Sequence, residues 1–80
     1  MPTVLRESGF SFKIYTADHK PMHVHARYQG SEVLINLGSA TESVSVRENR
    51  GLNEVQIRRA MRIASENQRF FIARWREIYE

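Results

Sequence analysis

The chain has no cysteine among its 80 residues, so it can form neither a disulfide nor a metal site built on thiolates. The same absence fits a reducing compartment, and we expect the protein in the cytoplasm. No apolar run approaches the roughly 20 residues that a membrane-spanning helix needs, so we expect no membrane partner. The N-terminal residues also lack the basic start and long apolar stretch of a secretory signal.

Proline and glycine are scarce, at two and four residues, and no stretch resembles a linker. Because 41% of the residues are hydrophobic, we expect one packed domain over residues 1–80. The net charge is +3, and ten of the twelve basic residues are arginine. This mild excess allows RNA, DNA or an acidic protein as a partner but does not require any of them. Homo-oligomers are equally allowed.

Short segments within residues 3–47 have the alternation or composition of β-strands. We expect strands at 3–6, 10–16, 22–28, 31–37 and 43–47, with Val44 and Val46 of the last strand facing inward.

The sequence of the third and fourth strands predicts the register in which they pair. A two-residue turn at 29–30 pairs Arg27 with Glu32 and sets apolar residues opposite apolar residues on the other face. The same register places His25 across from Leu34. A slip of one residue would break every one of these matches.

A helical pattern occupies residues 54–79, after Gly51 ends the sheet region. Asn53 and Gln56 have the spacing of a capping box. One continuous helix would be about 39 Å long, whereas a domain of this size is roughly 30 Å across. We therefore expect a break near Asn67 and Gln68. The fold class that follows is α+β: an antiparallel meander of four to five strands packed against one or two C-terminal helices.

All three histidines fall within residues 18–28. Because side chains alternate along a strand, His23, His25 and Arg27 share one face. The opposite face is apolar and predicts the core side, so we expect the two imidazoles to point outward, where a ligand can reach them.

Two chemistries suit this cluster. Histidines at i and i+2 stand roughly 7 Å apart at Cα, close enough for both to bind one divalent ion such as zinc, with His19 and Asp18 as further ligands. Alternatively His23, His25 and His19 act as general acid and base, while Lys20 and Arg27 hold a phosphate. A third interpretation makes the histidines part of the scaffold, with no ligand at all.

An arginine stripe lies on the predicted helix, if it is continuous, at Arg58, Arg62, Arg69 and Arg76. The stripe has the spacing to follow phosphates, but the glutamates among these arginines favour a solvated face. Phe70 points away from the apolar face, so it is a candidate contact for a partner protein.

The opening Met-Pro-Thr-Val-Leu-Arg, the phrase Asp-His-Lys-Pro-Met-His-Val-His at 18–25 and Gly-Ser-Glu at 30–32 resemble a family of very small bacterial proteins, domain of unknown function 4160. The resemblance runs nearly end to end. The family usually has a second proline at the position of Met22 and often a histidine near Asn67, so no role is carried to Asn67.

The resemblance implies a two-gene setting, because members are commonly encoded beside another small protein in pairs that resemble toxin–antitoxin modules. We therefore predict a component of such a module, binding a small cognate protein encoded by a neighbouring gene and acting on, or binding, nucleic acid through the histidine face. The alternatives are a non-enzymatic metal- or nucleic-acid-binding module and a structural interaction domain. Whether the protein is an enzyme stays open at this point.

Overall fold

The computed structural model describes residues 3–16 and 18–79. These residues form a five-stranded antiparallel sheet followed by two helices, which confirms the α+β class. The strand order is sequential, so each strand pairs with its neighbour in the chain. The elements are β1 (Thr3–Glu7), β2 (Phe10–Lys13), β3 (His23–Tyr28), β4 (Ser31–Asn36), β5 (Ser45–Arg50), α1 (Glu54–Glu66) and α2 (Gln68–Tyr79).

The β3–β4 hairpin has the predicted register at every position, including Arg27 opposite Glu32 and His25 opposite Leu34. Its turn residues Gln29 and Gly30 have φ values of 49° and 86°. Positive φ at both central positions is the signature of a type I′ turn, whose twist matches that of the flanking strands. The turn between β1 and β2, at residues 8–9, is of the same kind.

The core lies between one face of the sheet and the two helices. The predicted inward residues of the second strand, Phe10, Phe12 and Ile14, are all buried, and the Phe12 ring stacks on Phe71 of α2 at 5.2 Å. Strand β2 ends earlier than predicted, at Lys13, because the chain turns at Tyr15. The remaining fully buried apolar residues are Val24, Ala26, Val33, Ile35, Leu37, Ala60, Ile63, Ala64 and Trp75.

The last strand differs from the prediction. It runs from Ser45 to Arg50 rather than over 43–47, and Val46 is 45% exposed instead of facing inward. Two features account for the difference: β5 is an edge strand, and its pairing with β4 shifts register between Leu34 and Ile35. Such an irregularity reverses which side chains face the core. Val44, just before the strand, does pack against the core.

The helical part breaks where the sequence predicted. Asn67 ends α1 and donates from both its backbone N–H (3.1 Å) and its side-chain amide (2.8 Å) to the carbonyl of Ile63. The described residues extend 33 Å in their longest direction, less than an unbroken helix would need. At the other end of α1, Asn53 and Gln56 form the predicted capping box at 2.8 and 2.9 Å.

A single side chain fixes the connection between β4 and β5. The amide nitrogen of Gln68 lies within hydrogen-bond distance of three carbonyl oxygens of this connection and shares its two N–H groups among them: those of Leu37 (2.7 Å), Ser39 (3.0 Å) and Glu42 (2.8 Å). Gly38 lies in the same loop with a φ of 66°, and a Cβ there would meet the Glu42 oxygen at 2.5 Å. The loop is therefore held tightly against the start of α2.

No helix within the described residues combines the length and the hydropathy that crossing a bilayer requires.

Candidate metal centre

The histidine cluster forms where the segment before β3 meets the first residues of that strand. His23 and His25 lie on the same face, as the alternation predicted, and their ring centroids are 5.3 Å apart. The geometric part of the sequence prediction is therefore correct.

The expected exposure of these rings is wrong. His23 is 4% exposed and His25 is 7% exposed. Tyr15 covers His25 in an edge-to-face contact at 4.6 Å, and Trp75 of α2 covers His23 at 5.5 Å. Because Trp75 comes from the far end of the chain, strand alternation alone could not predict its contact.

Asp18 joins the two imidazoles. Its Oδ1 lies 3.1 Å from Nε2 of His25 and 3.6 Å from Nε2 of His23. Its other oxygen, Oδ2, accepts a hydrogen bond from the backbone N–H of Tyr15 at 3.0 Å. One ligand atom from each of the three residues lies within 4.8 Å of the other two. Three donors of this kind and spacing suit a borderline divalent ion such as Zn²⁺.

The hydrogen bond of His23 fixes which nitrogen is free to bind. Nδ1 of His23 is 3.0 Å from the carbonyl oxygen of Pro21, which can only accept. Nδ1 therefore carries the proton, and in the neutral ring Nε2 presents its lone pair toward Asp18. Metal-binding histidines are typically oriented in this way by a carbonyl on the opposite nitrogen.

His25 lies between two carboxylates. Its Nε2 faces Asp18, while its buried Nδ1 lies 3.7 Å from Oε1 of Glu32 and has no hydrogen-bond partner. Glu32 is itself buried, and it pairs with Arg27 at 3.3 Å and Arg50 at 2.9 Å. Glu32 therefore places a second carboxylate near His25, at a distance longer than a hydrogen bond.

The C-terminal helix holds the loop that carries Asp18. The Tyr79 hydroxyl accepts from the backbone N–H of Asp18 at 2.8 Å and donates to the carbonyl of Tyr15. Burial raises the pKa of Tyr79 above its ordinary range, and the negative charge of Asp18 adds to this, although the bond from the Asp18 N–H opposes it. Sequence analysis did not identify Tyr79 or Glu32 as site residues; Glu32 was predicted only as the partner of Arg27.

The structure does not bring all the predicted site residues together. His19, predicted as a third ligand, is exposed and lies outside the three-residue group, and Asp18 is the third member instead. Arg27 is paired with Glu32, and Arg58 is paired with Glu54 at 2.6 Å on the surface of α1. The break at Asn67 divides the predicted arginine stripe, leaving Arg58 and Arg62 on α1. Lys20 lines a separate cavity.

One family model matches most of the chain. A family model described as "Domain of unknown function (DUF4160)" matches residues 9–76. The chain belongs to that family. No curated protein and no solved structure matches the chain. The matched range contains all three members of the candidate metal centre and Trp75, whereas Tyr79 lies beyond it. The family description states no activity, so a function has to be argued from the site.

Proposed function

We propose that the protein binds one divalent metal ion, with zinc as the leading candidate, through Asp18, His23 and His25. The observation that carries this proposal is the convergence of one carboxylate oxygen and two imidazole nitrogens within 4.8 Å. Nothing in apolar packing requires two histidines and an aspartate to meet beneath Tyr15 and Trp75.

The charges around the cluster also favour a cation. Asp18 supplies one negative charge to the two rings, and the charge of Glu32 is offset by Arg27 and Arg50. Two neutral histidines and one carboxylate would leave a divalent ion with one net positive charge. These three residues would hold the ion, which would supply Lewis acidity at the cluster.

Metal titration of the full chain tests the proposal. The protein is stripped with a chelator, and Zn²⁺ or Co²⁺ is added while heat of binding, Co²⁺ absorption and melting temperature are followed. We expect one ion per chain and a stabilisation of about 2.7 kcal/mol at free metal a hundredfold above Kd. Removing the metal should reverse the shift.

Matched variants make the test specific. His19→Gln removes an exposed histidine outside the group and should bind as the natural protein does. His23→Gln and His25→Gln should each lose most of the zinc affinity. Asp18→Asn removes the carboxylate charge while preserving the shape of the side chain, so it separates a loss of zinc affinity from a loss of folding. Equal weak binding by the natural protein and the His23→Gln/His25→Gln double variant would rule the metal centre out.

The acid–base role predicted for His23, His25 and His19 stays a prediction. The burial of the two strand histidines means that a large substrate such as RNA has no direct access to them in this conformation. His19 lies apart from them, so any proton relay has to be built from Asp18, His23 and His25.

A second candidate function is that of one component in a toxin–antitoxin-like pair, with a small cognate protein as the partner. Phe70 of α2 is 43% exposed, as predicted for a partner contact. The family resemblance supplies the two-gene setting. The cytoplasmic location also stays a prediction, which cell fractionation tests.

Co-expression with the product of the neighbouring gene tests the pair. We expect the two proteins to purify together, and we expect Phe70→Ser to weaken the complex more than Val55→Ser, which changes an exposed apolar residue on α1. The absence of both a growth effect and a co-purifying protein would contradict the proposed toxin–antitoxin-like pair.

A further inference from the structure

A furrow lies beside the candidate metal centre. Its walls are the segment just before β3, the β4–β5 loop and α2. One part is a cavity of about 500 Å³ lined by Lys20, Asn36, Ser43, Ser45 and Arg76. A second cavity of about 420 Å³ shares Met22 and Arg76 with the first and adds Arg69 and Ile72. We propose that this furrow binds a nucleotide unit through its phosphate, either as a free nucleotide or within a single strand.

The charge of the furrow fits a phosphate. Lys20, Arg69 and Arg76 line it, against one acidic residue, Glu42. The ion pairs among residues 3–16 and 18–79 do not include any of these three cations. Arg27, Arg50, Arg58 and Arg74 are by contrast each paired with a glutamate. Unpaired cations from two separate elements at one cavity are suited to hold an anion.

The wall of the furrow fits a nucleotide better than inorganic phosphate, because apolar side chains lie beside the polar ones. Asn36 and Ser45 line the first cavity, with Nδ2 of Asn36 3.5 Å from Oγ of Ser45, and present polar groups to a sugar or a base. Met22, Ile72 and Ala73 add apolar surface for a base or sugar. The cavity volume is also in the range of small-ligand pockets.

The walls of the furrow are held in place before any ligand arrives. Gln68 ties the loop to α2 through three carbonyls, and Gly38 leaves no space for a side chain against Glu42 and Ser43. A preformed site loses less conformational entropy on binding. The inference does not rest on the metal, although Pro21 joins the two sites: it lines the furrow, and its carbonyl holds His23.

Binding measurements on the full chain test this inference. The probes are inorganic phosphate, uridine monophosphate and a fluorescent single-stranded oligouridylate, each measured with chelator present and again with Zn²⁺. We expect the Lys20→Ala/Arg76→Ala double variant to lose at least about tenfold in affinity for the nucleotide probes. For the oligonucleotide, the slope of log affinity against log salt should fall by about 0.7 for each phosphate contact removed.

The matched control is Arg59→Ala/Arg62→Ala, which removes the same charge from α1 at two exposed arginines that, like Lys20 and Arg76, lie outside the ion pairs of the described residues. All four residues are exposed, so both double variants should fold. An equal loss in the two double variants, or no binding by any probe, would overturn the inference. Inorganic phosphate should bind more weakly than uridine monophosphate, because it makes no use of the apolar wall. Equal affinity of the natural protein for these two probes would contradict the nucleotide assignment.

The remaining comparisons distinguish a free nucleotide from a single strand, and the furrow from the candidate metal centre. Tight binding of the monophosphate alone assigns a free nucleotide, and tighter binding of the oligonucleotide assigns a strand. The His23→Gln variant should keep nucleotide binding in the presence of chelator. If it does so while zinc binding fails in the natural protein, the furrow stands and the metal proposal falls.

Discussion

The hydroxyl of Tyr79 accepts a hydrogen bond from the backbone N–H of Asp18 across 61 residues of chain. The same hydroxyl donates to the carbonyl of Tyr15, so one phenol satisfies both ends of the turn that presents the aspartate. A residue of the last helical turn thereby fixes the position of a candidate metal ligand.

Replacing Tyr79 with phenylalanine should lower both stability and metal affinity. The change removes both hydrogen bonds of the hydroxyl, while the Asp18 N–H keeps its bond to the Tyr15 carbonyl at 3.2 Å, so we expect a loss of about 1 kcal/mol. Urea unfolding measures the stability, and zinc titration measures the affinity. Tyr28→Phe is the control, because the Tyr28 ring packs on Phe10 at 4.8 Å and its hydroxyl makes no hydrogen bond with the described residues. Equal effects of the two variants would contradict the role given to Tyr79.

The pH dependence of stability should show the raised pKa of Tyr79. The folded protein keeps the phenol proton at a pH where the unfolded chain, with a pKa of about 10, has released it. The contribution of the protonated phenol to the free energy of unfolding is therefore complete below about pH 10 and is lost as the pH rises through the higher pKa of the folded state. Free energies of unfolding from pH 8 to pH 11 or so should fall more steeply for the natural protein than for Tyr79→Phe. Parallel curves would contradict this.

The two glycines Gly30 and Gly38 should respond differently to alanine. Both have positive φ, so each change carries a strain of about 1–2 kcal/mol. At Gly30 a Cβ meets nothing within 4 Å, whereas at Gly38 it meets the backbone oxygens of Glu42 and Ser43 at 2.5 and 2.7 Å. Gly38→Ala should therefore be the more destabilising change in thermal and urea unfolding. A larger loss for Gly30→Ala would show that the β4–β5 loop has room to move.

Replacing Gln68 should loosen the β4–β5 loop and the furrow with it. Gln68→Leu loses the two N–H groups that three loop carbonyls share, and Gln68→Glu directs a carboxylate at the same three carbonyl oxygens. We expect the glutamate variant to be the less stable of the two at neutral pH, because like partial charges then face each other. Hydrogen exchange at the Ser39 and Glu42 amides, which bond to each other's carbonyls, reports the loosening. Unchanged exchange in both variants would show that Gln68 does not hold the loop.

Much of the fold could be predicted because its determinants are local. The turn at Gln29 and Gly30 sets the β3–β4 register, and the capping residues Asn53 and Gln56 mark the start of α1. Strand alternation likewise placed His23 and His25 on one face. Each of these signals depends on residues within a few positions of one another.

The failures involve contacts between distant parts of the chain. Burial of His23 requires Trp75, and the position of the Asp18 loop requires Tyr79. The exposure of Val46 depends on an irregular pairing of β4 with β5, and the residue pattern of the strand does not predict that irregularity. In the sequence Gln68 marks only the expected break in the helix, although its amide contacts loop carbonyls 26 to 31 residues away.

The sequential order of the strands has a kinetic consequence. Neighbouring strands close by local steps, so the sheet can assemble quickly, whereas the turn that carries Asp18 depends on a residue 61 positions distant. Contacts that form after the rate-limiting step act on the unfolding rate and leave the folding rate nearly unchanged. The contact of Tyr79 with Asp18 should therefore lengthen the lifetime of the folded molecule without hastening its formation.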